Sequence, residues 1–295
     1  MVDYTPLQAT PTDADSARVL EAARRGDFGP ETARYVAGSR AGSAAAGCLV
    51  GGFVTVIVLI TIVVLLVEGD SDALVVGGFF VGGSVLLGAM VAGLVALGER
   101  RSVRRLVRLV AFAQANDLAV EPEAQVQLLP GSIFVSEAHA RTMHRVQWPA
   151  GGLSFELATH TRWRGRQATV QVRFLAAHLD VEPPRLTFHH GRSGGMRPAE
   201  VLGTDAFEDE KFALIARTHE HAGARAFMTD ELVALLTDPD RPVSAEVADG
   251  WFFAYFRHYD ELDERGWRQA FSVAEAAVRA RDAFKAWEES RRSGE

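Results

Sequence analysis

The sequence predicts an α+β protein in which a two-helix transmembrane hairpin is followed by a largely antiparallel-sheet soluble domain with a C-terminal helix. Three observations predict it. Two uncharged apolar runs lie in the first hundred residues, short runs rich in β-branched and aromatic residues follow, and a capped helical pattern closes the chain. On this basis residues 1–44 are a cytoplasmic N-terminal tail with short helices, 45–98 the hairpin, 99–111 a basic juxtamembrane helix and 112–295 a cytoplasmic α+β domain.

In the tail, "DSARVLEAARRG" reads as a short helix with Asp15 near its start and Gly26 as its stop. Pro30 in "PETARYVAG" suits a first helical position. Residues 1–12 are expected to be disordered, as unanchored termini are.

Cys48 to Val67 and Ala73 to Gly98 carry no charge over 20 and 26 residues. About 20 apolar residues cross a bilayer core as a helix, and a backbone in hydrocarbon must satisfy its own hydrogen bonds. "EGDSDA", residues 68–73, is then the turn between two spans. Arg34 and Arg40 precede the first span, and Arg100, Arg101, Arg104, Arg105 and Arg108 follow the second, whereas the turn holds Glu68, Asp70, Asp72 and no base. Positive charge stays cytoplasmic, so a multi-pass cell-membrane protein with both termini inside is expected. A signal peptide would lie nearer the N-terminus. The single cysteine, Cys48, excludes an internal disulfide and a cysteine zinc cluster.

On the second span Gly78, Gly82, Ala89 and Gly93 fall within about 60° of one another at 100° per residue. Small residues at this spacing let helices approach closely, against the first span or in a homo-oligomer. After it, Arg100, Arg101, Arg104, Arg105 and Arg108 occupy one arc of a helix whose other side is Val103, Leu106, Val107, Leu109 and Val110. That arrangement suits contact with anionic lipid headgroups.

From residue 112 onward 21 bases face 28 acids, a charge opposite to that of a nucleic-acid binder. "LSFELATHTRW", "ATVQVRFLAAHL" and "RLTFHH" read as strands. In "VSAEVADGWFFAYFR", Asp249-Gly250 is type I′ turn chemistry between two more. "TDELVALLTD" is a helix with Thr229 as its N-cap. "SVAEAAVRARDAFKAW" is another, with Ser272 and Glu275 at capping-box spacing.

The runs "RLVAFAQANDL", "PPRLTFHH", "FMTDELVALL" and "VSAEVADGWFFAYF", with a final helix bearing "AFKAW", resemble a group of bacterial membrane proteins. Those join two transmembrane helices to a cytoplasmic α+β domain. The resemblance spans residues 45–290 and implies that architecture; it brings no activity and no functional residue.

Two patterns could carry chemistry. "GRSGG" matches G-x-S-x-G with Ser193 as nucleophile, but Pro198 follows closely where the elbow needs a helix. A glycine-rich hairpin loop explains it better. His219 and His221 flank Glu220, and on a strand both imidazoles would share one face as a partial metal site. The aromatic run Trp251–Phe256 reads as a buried hairpin or as a groove for a peptide or lipid. With no convergent catalytic set and no cofactor motif, the expectation is a membrane-tethered, non-enzymatic interaction or scaffold domain. Its expected partners are the lipid bilayer and a protein partner or second copy. The alternative is a membrane-anchored hydrolase using Ser193 or the His219/His221 pair.

Overall fold

A computed structural model describes residues 2–34, 101–125, 128–134, 140–164, 168–190, 205–209, 212–216, 218–256 and 260–294, with single positions between 56 and 100. The chain divides into two compact units, Thr10–Val107 and a larger one of Met1–Ala9 with Arg108–Glu295.

In the smaller unit, helix α2 (Asp13–Arg25) follows α1 (Thr5–Gln8) of the larger one. Thr12 and Asp15 close a reciprocal capping box at its start, and Gly26, at φ +85°, caps its end in the left-handed conformation. Residues 30–34 are helical from Pro30, as the sequence predicts. Most of residues 35–99, including "EGDSDA", lie outside the described residues. Among those described, no helix is long and apolar enough to cross a membrane.

The larger unit is α+β. Nine strands form one antiparallel sheet among the described residues: β1 (Ala119–Ala124), β2 (Ala140–Ala150), β3 (Leu153–Arg164), β4 (Ala168–His178), β5 (Leu186–His190), β6 (Asp205–Asp209), β7 (Phe212–Ala216), β8 (Val243–Ala248) and β9 (Trp251–Phe256). The order is β1-β2-β3-β4-β9-β8-β5-β7-β6. The late hairpin therefore sits in the middle, β9 pairing with β4 and β8 with β5, and joins the β1–β4 meander to the group β5-β7-β6. Asp249 (φ +49°) and Gly250 (φ +75°) form its turn, the two positive angles that a type I′ turn requires.

Alternation along the strands gives the sheet two faces. Two rows across β3, β4, β9 and β8 line the first: Phe155, Ala177, Phe252, Val247 and then Leu157, Leu175, Ala254, Ala245. All eight belong to the principal core, with Phe188 of β5 and Val243 of β8. Against this face packs the long C-terminal helix α5 (Glu264–Ser293) through Trp267, Ala270, Val273, Ala274, Ala277, Ala280 and Phe284, with α3 (His221–Phe227) and α4 (Asp230–Leu236) beside it. The run of alanines at helical spacing lets α5 approach the sheet closely.

The structure corrects the start of the last helix. Ser272 is no cap, because α5 begins eight residues earlier. Asp263 is its N-cap and accepts from the backbone N–H groups of Arg265 (3.1 Å) and Gly266 (3.3 Å). Gly266 near the start masks the helical pattern from a reading by propensity. Thr229 does cap α4, accepting from Leu232 N–H. Asp263→Ala should cost about 1 kcal/mol, the usual loss for an N-cap, read as a lower denaturant midpoint.

Residues 1–12 are not disordered throughout. Leu7 is buried in the principal core and Tyr4 stacks on Phe112 at 5.9 Å. Asp3 N–H donates to Asn116 Oδ1 (2.6 Å), and Asn116 Nδ2 donates back to the Asp3 carbonyl (2.9 Å). The N-terminal nine residues thus close onto the domain that begins a hundred residues later.

Candidate functional site

Residues 101–115 are helical, as the basic pattern predicts. Arg100, Arg101, Arg104 and Arg105 are exposed and Arg108 is half-buried, while Val107, Leu109 and Val110 are buried. Four of the five arginines thus face outward as the wheel predicts, whereas Arg108, in the middle of the predicted arc, is as covered as Val103 and Leu106. In the two apolar runs the described positions are helical. Ile57 is half-buried, and the other large side chains are open to solvent: Val56, Ile60, Val63 and Val64 in the first run, Met90, Leu94 and Leu97 in the second. Within each run these positions recur at helical spacing, so each set lines one face. Of the predicted packing stripe, Gly78, Gly82 and Ala89 lie outside the described residues. At Gly93 an added Cβ would meet no described atom within 4 Å.

Ser193 also lies outside the described residues. His219 and His221 are not on a strand: His219 lies in a short 3-10 turn (Thr218–Glu220) and His221 opens α3. The shared face of alternate strand residues is lost. His221 Nε2 lies 3.1 Å from the Ala216 carbonyl, and exposed His219 lies 3.7 Å from Glu220. Among the described residues no group of three or more potential ligands could hold a metal.

The second face of the sheet holds a cluster that the sequence reading did not single out. One row across β3, β4, β9 and β8 is Glu156, Ala176, Phe253, Glu246; the next is Ala158, Phe174, Tyr255, Ser244. Over the small residues Ala158 and Ala176 lies Phe134, from a segment between β1 and β2. Its ring meets Phe174 edge-on at 5.0 Å and His160 edge-on at 5.0 Å. Trp251, Phe253 and Tyr255 follow one another along β9 as near-parallel rings.

The polar members are buried and mostly paired. Glu246 accepts from Tyr255 Oη (3.0 Å) and from Ser132 N–H (2.9 Å), with Arg185 at 4.0 Å. Burial, reinforced by the Glu246 carboxylate, pushes the Tyr255 phenol well above its ordinary range, so it stays a donor. Burial raises the Glu156 carboxyl, and Arg145 at 3.6 Å opposes that rise. Three strand spacings separate Glu156 from Glu246, roughly 14 Å, beyond the reach of paired carboxylates in acid–base work. Burial also lowers the imidazole of His160, and Arg162 adds to the effect. The available signal in the sequence was a charge, Glu246, inside an otherwise apolar strand that opposes an aromatic one.

No family model matches the chain, and no curated protein matches it. Its backbone is similar to the crystal structure of the mycobacterial trehalose monomycolate transport factor A, TtfA, at 14% identity and a TM-score of 0.41, covering 59% of this chain and 91% of that one. At that level the likeness assigns no role to any residue.

Proposed function

We propose that the chain is a membrane-tethered, non-enzymatic interaction or scaffold protein, with residues 48–67 and 73–98 seated in the bilayer as a helical hairpin and both termini in the cytoplasm. The observation that carries this reading is the exposure of Val56, Ile60, Val63, Met90, Leu94 and Leu97, each more than half open, on helical positions of two uncharged runs. Such surface is costly in water and fits hydrocarbon.

A second support is topological. Residues 2–9 pack in the same body as residues 108–295. A chain that leaves that body and returns to it crosses a membrane an even number of times. Two spans satisfy this, and the arginines after the second set the side. Arg100, Arg101, Arg104 and Arg105 are then placed for anionic headgroups, at about 1 kcal/mol each.

The test is alkaline carbonate extraction of bacterial membranes, with protease protection in spheroplasts. The full chain should stay with the membrane, and its C-terminal domain should resist external protease. Release by carbonate would overturn the reading. Changing Arg100, Arg101, Arg104, Arg105 and Arg108 together to Asp should leave a substantial protease-sensitive fraction in spheroplasts; complete protection would remove these arginines from the topology argument.

A further inference from the structure

We propose that residues 128–134 are a strap over the second face of the sheet, released when His160 takes up a proton. The strands on either side of it are direct antiparallel neighbours, with Ala124 paired to Thr142. Such strands are usually joined by two to five residues. Here residues 125–139 join them, and the described part reaches β8, where Ser132 N–H donates to Glu246. Long connections of this kind in compact domains usually carry function.

The strap is held at three points. Ser132 is tied to Glu246. Gly131 lies so close to Tyr255 that a Cβ there would sit 2.7 Å from its hydroxyl. Phe134 is 4% exposed and covers His160. His160 is 3% exposed, and neither ring nitrogen has a hydrogen-bond partner among the described residues.

A neutral imidazole tolerates that position at the cost of two unsatisfied atoms; an imidazolium would add a buried charge. Among the described residues, the charged groups around it do not offset one. On β3, Arg162 stands two residues along and repels it. On β2, Arg145 reaches this face but is engaged by Glu121 and Glu156, and His144 stands at the strand's bulge. The β4 neighbour is Val172, and residues 128–134 bring no charge. Hydration of the cation therefore requires Phe134 to leave.

The sign follows from the covered imidazole's lowered proton affinity. The closed form is fully favoured above the ordinary histidine value and loses favour as pH falls through it. With an open-state value of about 6.5, the open-to-closed ratio rises from pH 7.5 to pH 5.5 by up to about tenfold, the limit for a covered imidazole that stays neutral throughout.

Amide hydrogen exchange on the purified full chain in detergent tests this, with rates corrected for the chemical effect of pH. Opening at residues 128–134 should rise severalfold, up to about tenfold, across that range in the wild type and stay flat in His160→Gln. An equal rise in His160→Gln, or no rise in the wild type, would overturn the proposal. Should His160→Gln not fold, the imidazole can be titrated by NMR in the wild type and in Phe134→Ala. Uncovering should return it to an ordinary value; the same ordinary value in both proteins would also overturn the latch.

Discussion

Replacing Trp267 by Ala should destabilise the larger unit by about 3–5 kcal/mol, the range for emptying a large aromatic site in a packed core. The indole is fully buried at the first turns of α5, where three parts of the domain meet. Phe112 packs against it at 4.7 Å and Phe271 at 5.8 Å, and the guanidinium of Arg173, from the sheet, lies 5.6 Å from its ring centre. Its Nε1–H donates to the Glu261 carbonyl (2.9 Å). Ala would leave a cavity, deprive a buried arginine of its aromatic face and remove the donor. Trp267→Phe should recover most of the loss, short of about 1 kcal/mol for the hydrogen bond. Denaturant unfolding of the full chain in detergent measures both. An Ala variant within about 1 kcal/mol of wild type, on the same scale of expected loss, would show that the surrounding helices close over the gap.

Gly250→Val should cost about 1–3 kcal/mol, the scale for a β-branched residue forced into the left-handed region. Crowding is a minor cause: a Cβ at Gly250 would meet the Val181 carbonyl at 3.5 Å and His178 Nε2 at 3.6 Å, ordinary contacts. The strain is in the backbone, at φ +75°. Because β8 and β9 join the two halves of the sheet, the effect should be global, lowering the unfolding midpoint as a single transition. Gly250→Asn, which tolerates the conformation better, should lose less. A Val variant with the wild-type midpoint would rule out a strained turn.

The parts of the fold legible in the sequence were those written locally. β3, β4, β8 and β9 show apolar alternation or aromatic runs, and Asp249-Gly250 marks its own turn. Four strands were missed. β6 and β7 are five residues each, too short to show a period. β1 contains Pro122 at the sheet edge, and β2 carries a bulge between Met143 and Val146 with His144 at φ +53°. The pattern of β1 and β2 slips out of period, and only pairing with a neighbour identifies these four. The cluster around Glu246 was hidden for another reason. Ser132, His160 and Tyr255 are far apart in the chain, and only the strand order brings the sheet beneath the strap. The arginine arc was legible because a helical wheel is a local property.

The N-terminal segment has a consequence for assembly. With Leu7 in the core and Asp3 bonded to Asn116, the 98 residues from Thr10 to Val107 form a closed loop whose ends are both fixed to one body. Closing a flexible loop of that length costs about 4 kcal/mol in chain entropy. Were residues 48–98 a hairpin in the bilayer, as proposed, it would return its ends to one side and remove much of that cost. Insertion and docking of residues 2–9 would then be thermodynamically coupled, each strengthening the other. Synthesis imposes an order as well: residues 2–9 are made before Phe112, Asn116 and α5, the groups they dock on.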